Sequence, residues 1–313
     1  MSTAATPRPR VMTCGLATLD VVQLVDDLPA PNQKVVSLDF LIAAGGPATN
    51  AAVAAAWCGA EATLVTALPR HPLTDLIAAD LASCRVGLDV ADHDFDGPPP
   101  TAAILITRGT GDRAVVSPTA VGTGERAPAG ELEDPARLAG VGALLIDGYH
   151  RHLALPLARA ARAAGVPVIL DGGSAKAHTE ELLEVVDVAI VSDDFAPPGV
   201  ESEAGAVLDW LFERGVENAA VSRGGRAIAW RTRAGAGEVP VAPVEVVDTL
   251  GAGDFFHGAV AFRIAGLGLD DARLAEDLAW AAAVAGASLG SFGTRAWLAG
   301  APPAGAPPAT APQ

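Results

Sequence analysis

The sequence predicts an α/β fold with a mostly parallel central sheet, helices on both faces and a small extra β-sheet. Three observations lead there. Short strand-like runs alternate with Ala-rich helical stretches along most of the chain. The runs are apolar throughout, as strands covered on both faces are. Two stretches, about 21–44 and 101–117, break the alternation, with no crossover helix between their runs. They are read as a lid projecting from the main domain.

The elements follow in order. Val11–Ala17 reads as a strand, and Pro47–Cys58 as a helix with Pro in its first turn, where a missing N–H costs nothing. Ala62–Ala67 is a strand and Leu73–Cys84 a helix. In the lid, Thr101–Arg108, Gly109–Asp112 and Arg113–Val116 read as a hairpin. Ala143–Asp147 is a buried strand followed by a helix over Leu153–Ala164. Then come the strand Val166–Asp171, a helix near Thr179–Val185 and the strand Val188–Ser192. A helix over Ala206–Arg214 precedes the strands Ala219–Ser222 and Ala227–Trp230. Two helices, about Asp254–Ala265 and Ala275–Ser288, close a single domain over 10–299. The Pro/Ala-rich ends, 1–9 and 300–313, are expected to be disordered. No internal repeat is visible.

Composition bounds the function. Half of the 313 residues are hydrophobic and the net charge is −16. So acidic a chain lacks the clustered cations that nucleic acids or anionic membranes require. The two lysines, Lys34 and Lys176, exclude a P-loop, since neither stands in a Gly-Lys-Ser/Thr context. Three widely spaced cysteines form no CxxC pair, which fits free thiols in a reducing compartment. The uncharged stretch Phe40–Ala60 is interrupted by Gly45, Gly46, Pro47, Thr49 and Asn50, so no membrane span is expected. No signal peptide is read, and a cytoplasmic location is expected.

Some patterns mislead. Gly286-Ala-Ser-Leu-Gly290 fits a nucleophile elbow, but an Ala-rich helix precedes it and no histidine follows His257. HExxH and complete GxGxxG motifs are missing. His150 and His152 have no third ligand at metal spacing.

The informative stretch is Val246-Val-Asp-Thr-Leu-Gly-Ala-Gly-Asp-Phe-Phe-His-Gly-Ala259. Glycines at a helix start let backbone N–H groups converge, and the helix dipole adds positive potential: an anion cradle without lysine. A carboxylate beside it can take a proton from a hydroxyl as a phosphoryl group arrives. Taken alone, the same residues equally suit a tight turn with Asp254 as a cap.

This stretch resembles the C-terminal signature of the ribokinase-like, or phosphofructokinase B, sugar kinases. The likeness extends over roughly 11–297. Gly15-Leu-Ala-Thr-Leu-Asp20 is similar to the family's first strand with its sugar-binding aspartate. Gly45-Gly-Pro-Ala-Thr-Asn-Ala-Ala52 is similar to its glycine-pair motif, with Asn50 in the sugar-contacting place. Ser222-Arg-Gly-Gly-Arg-Ala227 resembles the nucleotide-loop pattern T-x-G-x-x-G.

The resemblance implies an ATP-dependent sugar kinase with Asp254 as general base. The amides of Gly251, Ala252, Gly253 and Asp254 would form the anion hole. Asp20, Gly45, Gly46, Asn50 and Arg113 would bind sugar, and Ser192, Ser222, Gly224 and Gly225 would bind ATP. It implies Mg²⁺, and K⁺ beside the anion hole near Asp248, Leu250, Ser288, Gly290 and Ser291. It also implies a homodimer clasped through the lid. Where the family usually has N-x-x-E, this chain has Ser192-Asp-Asp-Phe195, so the usual magnesium-organising carboxylate is missing. Gly111-Asp-Arg113 matches the G-E/D-R pattern of ketohexokinase-like and 2-keto-3-deoxygluconate kinase-like members. That favours a ketohexose or keto sugar acid over ribose or a nucleoside. Pro47, where ketohexokinase has a sugar-contacting Asn, weakens fructose itself. An inactive binding or regulatory protein of the same fold is the alternative of a different class. Lys176 either reaches phosphate or is a solvated loop residue, and His257 is expected to pack beside the site.

Overall fold

The computed structural model describes residues 8–93, 96–118 and 130–306. In chain order its elements are β1 (Arg10–Cys14), β2 (Thr18–Val25), β3 (Asp39–Gly45), α1 (Pro47–Cys58), β4 (Glu61–Ala67), α2 (Pro72–Ser83) and β5 (Val86–Asp92). Next come β6 (Thr101–Thr107), β7 (Arg113–Val116), β8 (Ala143–Ile146), α3 (Arg151–Ala163), β9 (Val168–Gly172), α4 (Thr179–Leu183) and β10 (Val188–Ser192). The chain continues with α5 (Ala204–Glu213), β11 (Asn218–Arg223), β12 (Arg226–Thr232), β13 (Ala236–Val239), α6 (Ala252–Leu267) and α7 (Leu274–Ser288).

Nine strands form the main sheet in the order β13-β12-β11-β10-β9-β8-β1-β4-β5. The pairs from β11 to β5 are parallel, and β12 and β13 add an antiparallel edge. Strand order reverses beside β1, which opens a crevice at the carboxyl ends of β1 and β8 where ligands of such sheets bind. One core face is filled by α1, α2, α6 and α7, the other by α3, α4 and α5. Two strands went unforeseen. β5 carries Gly87, Asp89 and Asp92, and β13 is mostly exposed. Both lie at sheet edges, where a strand need not be apolar.

The helix α1 shows how local chemistry sets an element. Pro47 opens it, and Gly59 closes it in the left-handed conformation at φ 116°. Its alanines let α6 come close: a Cβ on Gly258 would lie 2.1 Å from the Ala51 carbonyl oxygen.

The lid is a second sheet, β3-β2-β6-β7. β2 pairs in parallel with β6, which joins the two segments the sequence separates. Val22, Ala102, Ile104 and Ile106 fill its inner face, with Leu41, Leu250 and Phe292 packed against them. Phe40 and Val116 stand outside, 65% and 75% exposed.

The chain ends differ from expectation where they are described. Pro9 is buried, and its carbonyl accepts from the Glu61 N–H. The tail read as disordered from Gly300 is held as far as Gly305. Trp280 Nε1 donates to the Ala304 carbonyl and Arg263 Nη1 to that of Gly305, each a polar group that burial leaves needing a partner. The rest of both ends lies outside the described residues. Among the described residues, no helix is long and apolar enough to cross a membrane.

Candidate active site

A buried carboxylate ties the crevice together. Asp147, just past β8, accepts from the backbone N–H of Leu16, Ala48 and Tyr149 at 2.8, 3.1 and 2.9 Å. It thereby caps α1 and fixes the turn after β1. Gly15 is needed there, because a Cβ would come within 2.0 Å of Asp147 Oδ1. Burial pushes the Asp147 acid up, and the three N–H groups pull it back.

The base candidate sits opposite. Gly251, at φ 74°, turns the chain into α6, and no side chain caps the helix. The Ala252 N–H reaches the Thr249 carbonyl at 3.5 Å, and the next N–H groups of the first turn have no partner within the helix. Asp254 lies in that turn, half-buried, and its Oδ2 accepts from Asn50 Nδ2 at 2.8 Å. Burial, then the charge of Asp171, pushes Asp254 up to about 7. Asp171, on β9, is itself pushed up by burial and by the charge of Asp147, and Lys176 pulls it back. His257 lies buried one turn below Asp254, with Nδ1 3.2 Å from Asp171 Oδ2.

The residues read from the sequence as sugar-binding lie nearby. Asp20 is buried on β2, and Thr18 Oγ1 donates to its Oδ1 at 2.6 Å. A Cβ on Gly45 would lie 1.9 Å from Asp20 Oδ2, and one on Gly46 would lie 2.3 Å from the Leu16 carbonyl oxygen. The glycine pair is thus a steric requirement of this pocket. Burial raises Asp20's pKa, while Thr18 and Arg295 lower it.

Arg113, read from the sequence as a sugar-binding residue, anchors the lid hairpin. It is exposed on β7, and its Nη1 donates to Thr249 Oγ1 at 3.1 Å. Thr249 Oγ1 donates in turn to the Gly111 carbonyl at 3.0 Å. These bonds lace the lid hairpin to the loop that precedes the anion cradle.

A family model described as pfkB family carbohydrate kinase matches residues 8–299. The chain belongs to that family. It is 24% identical over 270 residues to a bifunctional ribokinase/ribose-5-phosphate isomerase A of Fructilactobacillus sanfranciscensis, covering 82% of this chain. The match spans 48%, about half, of that relative's length. A crystal structure from Agrobacterium tumefaciens, named provisionally as a ribokinase, superposes with a TM-score of 0.82 at 26% identity, covering 97% of this chain and 95% of its own. An Arabidopsis thaliana ribokinase complexed with ribose and ATP superposes with a TM-score of 0.71 at 24% identity, covering 91% and 94%.

The remaining residues of this pfkB-family chain lie along the carboxyl ends of β10 and β11. Ser192 Oγ donates to the Gly173 carbonyl at 2.9 Å and accepts from the Asp194 N–H. Ser222 Oγ donates to the Val191 carbonyl at 3.3 Å. Gly224, at φ 60°, and Gly225 form the exposed β11–β12 turn. Phe195 is 1% exposed and packs on Trp210, so no carboxylate stands where the family's usual one would. Asp193, paired with Arg226 at 2.5 Å, and Asp194 are the neighbouring acids. Among the described residues, no cluster of three metal-ligating side chains exists. The carboxylates present suit a Mg²⁺ that arrives on nucleotide phosphates, which needs only one or two protein oxygens.

The monovalent-cation candidates also converge. Asp248 is buried, with Oδ1 accepting from Leu250 N and Oδ2 from Gly293 N, both at 2.8 Å. Ser291 Oγ is buried without a hydrogen-bond partner, an oxygen with lone pairs to offer a cation. Ser288 Oγ donates to the Ala285 carbonyl at 2.7 Å, and Gly290 is exposed.

Arg295 escaped the sequence, and the sequence assigns no role to Asp171 or Tyr149. Arg295 bonds Asp80 at 2.8 Å and the Ala44 carbonyl at 2.7 Å, with Nη1 3.5 Å from Asn50 Oδ1. Asp171 follows an apolar strand like any turn residue. The charges of Asp147, Asp171 and Asp254 all reach Tyr149, whose ring lies 4.3 Å from Lys176 Nζ. Lys176, half-buried, lies over Tyr149 with Nζ 3.4 Å from the Asp147 carbonyl. His152 pairs with Asp92 at 3.1 Å, which accounts for one of the two histidines set aside as ligands.

Proposed function

We propose that the chain transfers the γ-phosphate of ATP to a primary hydroxyl of a small sugar. The observation that carries this reading is Asp254, a carboxylate held by Asn50 in the first turn of a helix whose start has no side-chain cap. In this reading Asp254 accepts the hydroxyl proton, while the N–H groups of Gly251, Ala252, Gly253 and Asp254 face the charge that gathers on the phosphoryl oxygens. Asp20, Asn50 and the Gly45–Gly46 backbone hold the sugar, and Ser192, Ser222, Gly224 and Gly225 border the nucleotide. Mg²⁺ bound with ATP would neutralise triphosphate charge, with Asp193 or Asp194 as its protein oxygens. Little activation is asked of the nucleophile, so positioning and electrostatics supply most of the effect.

For the acceptor, the Gly111-Asp-Arg113 pattern supports a ketohexose or keto sugar acid. The named relatives are ribokinases, which favours ribose as the second reading. The lid's exposed Phe40 and Ile42, on its edge strand β3, support a homodimer clasped there. A coupled assay with ATP and a panel of ketohexoses, keto-deoxy sugar acids, ribose and adenosine tests the whole reading. Turnover of a sugar is expected. ATP binding without turnover of any sugar would leave a binding protein. A best substrate of ribose, or a preference unchanged in Arg113→Ala, would overturn the ketohexose reading.

A further inference from the structure

The ring of His257 is buried with oxygen acceptors at both nitrogens. Nδ1 lies 2.6 Å from the Gly253 carbonyl oxygen and 3.2 Å from Asp171 Oδ2. Nε2 lies 3.1 Å from the Ile190 carbonyl oxygen. A carbonyl oxygen only accepts, and a neutral imidazole carries one N–H. With a single ring proton, one bare nitrogen would face a backbone oxygen in a buried place, which native structures avoid. A protonated Asp171 donating to a neutral ring does not help, because Nδ1 would then stand bare against the Gly253 oxygen. Two ring protons satisfy both carbonyls, and the Asp171 carboxylate, 3.2 Å from Nδ1 with an oxygen that makes no hydrogen bond, balances the charge.

We propose that His257 is an imidazolium paired with Asp171, and that this buried ion pair is a positioning device for Asp254. It holds the first turn of α6 through the Gly253 carbonyl and offsets the negative charge around the base. The proposal rests on the reading of Asp254 as the base.

The surroundings show why an offset is needed. Asp254 and Gly253 face the ring from α6, Asp171 from β9 and the Ile190 carbonyl from β10. Asp147, past β8, and Lys176, past β9, act on Asp171 in turn. Asp147 and Asp171 both oppose ionisation of Asp254, and His257 favours it. Lys176 is turned towards the Asp147 carbonyl and the Tyr149 ring. Burial is the largest influence and holds His257's proton affinity below that of a free imidazole, although the Asp254 charge and the bonds to Gly253 and Ile190 raise it. The charged ring is assigned on geometry, because oxygen acceptors stand at both nitrogens.

Nitrogen-15 spectroscopy of the histidines in the full chain at pH 7 reads the ring directly. The His257 signal is the one missing from H257N, or from H257Q should H257N not fold. Both nitrogens should carry the imidazolium signature; a single-proton tautomer would overturn the proposal. The pH profile of kcat/KM supplies the second readout, since it reports the free enzyme's base. H257N leaves Asp171 uncompensated and should move the acid limb up by about one pH unit, a tenfold loss at fixed acidic pH. The double variant D171N/H257N removes both charges and should bring the limb back toward wild type. A limb unmoved in H257N, or moved as far in the double variant, would reduce His257 to packing and sink the idea. Should no sugar be phosphorylated at all, the proposed function fails while the spectrum still decides the state of His257.

Discussion

On the floor of the crevice α1 and α6 meet backbone to backbone, whereas the lid above it is a thin sheet with apolar side chains on both faces. The floor is fixed by hard contact: nothing larger than hydrogen fits at Gly258 against Ala51. Hard contact places Asn50 and Asp254 to within a hydrogen bond, although 204 positions separate them in sequence. The lid's inner face is sealed by a few aliphatic side chains, and its outer face leaves Phe40, Ile42 and Val116 exposed. Chemistry that depends on tenths of an ångström belongs on the first kind of surface, and closure over a substrate belongs on the second.

The largest effect should come from the floor's own carboxylate. Asp254→Asn is expected to lower kcat by about 10²-fold or more while leaving ATP affinity largely intact, as a lost general base does. Turnover and equilibrium nucleotide binding check this together. Near-wild-type turnover would remove Asp254 from the mechanism and the floor from its role.

Two glycines sharpen the contrast. Gly258→Ala drives a methyl into the Ala51 carbonyl inside the helix pair, an overpacking that costs about 1–3 kcal/mol. It should lower the melting temperature and kcat together. Gly45→Ala, at the root of the lid, meets the Asp20 carboxylate instead of a packed backbone. That carboxylate can turn away, so KM for the sugar should rise with little change in melting temperature. The same response from both variants would mean that floor and lid root are one unit.

How much of this the sequence shows depends on what each element rests upon. The helix α1 is legible to the residue, since Pro47 and Gly59 are local signals. β5 and β13 are not, because edge strands carry Asp, Glu and Gly on exposed positions and lack the apolar run. The site divides in the same way. Asp254 and its glycines announce themselves by spacing in one continuous stretch. Asp147, Asp171 and Arg295 are single polar residues after strands or in loops. Their meaning arises when tertiary contact brings them to Leu16, His257 and Asn50.

The lid's outer face makes a weaker claim, since it concerns assembly rather than chemistry. Phe40 and Ile42 are 65% and 49% exposed on the edge strand β3, a surface that invites pairing unless something covers it. Phe40→Ser with Ile42→Thr should shift a dimer toward monomer in sedimentation at micromolar concentration, with little loss of protomer stability. A wild-type chain that sediments only as monomer would break the comparison, leaving an uncovered lid.

The smallest effect belongs behind the floor, where Asp248 is sealed between Leu250 and Gly293. Its two oxygens accept one backbone N–H each, and among the described residues no cationic side chain bonds to it. The Asp248 carboxylate keeps spare lone pairs, and the buried unpartnered hydroxyl of Ser291 adds an acceptor in the same segment. A weakly hydrated monovalent cation would settle both groups and stiffen the turn that leads into Gly251. K⁺ should therefore raise kcat a few-fold over a large organic cation at equal ionic strength. Ser291→Ala should raise the K⁺ concentration needed for that activation without altering the rate at saturating salt. Equal rates in Na⁺, K⁺ and the organic cation would mean that the backbone N–H groups of Leu250 and Gly293 alone suffice for Asp248, and that the floor is complete without an ion.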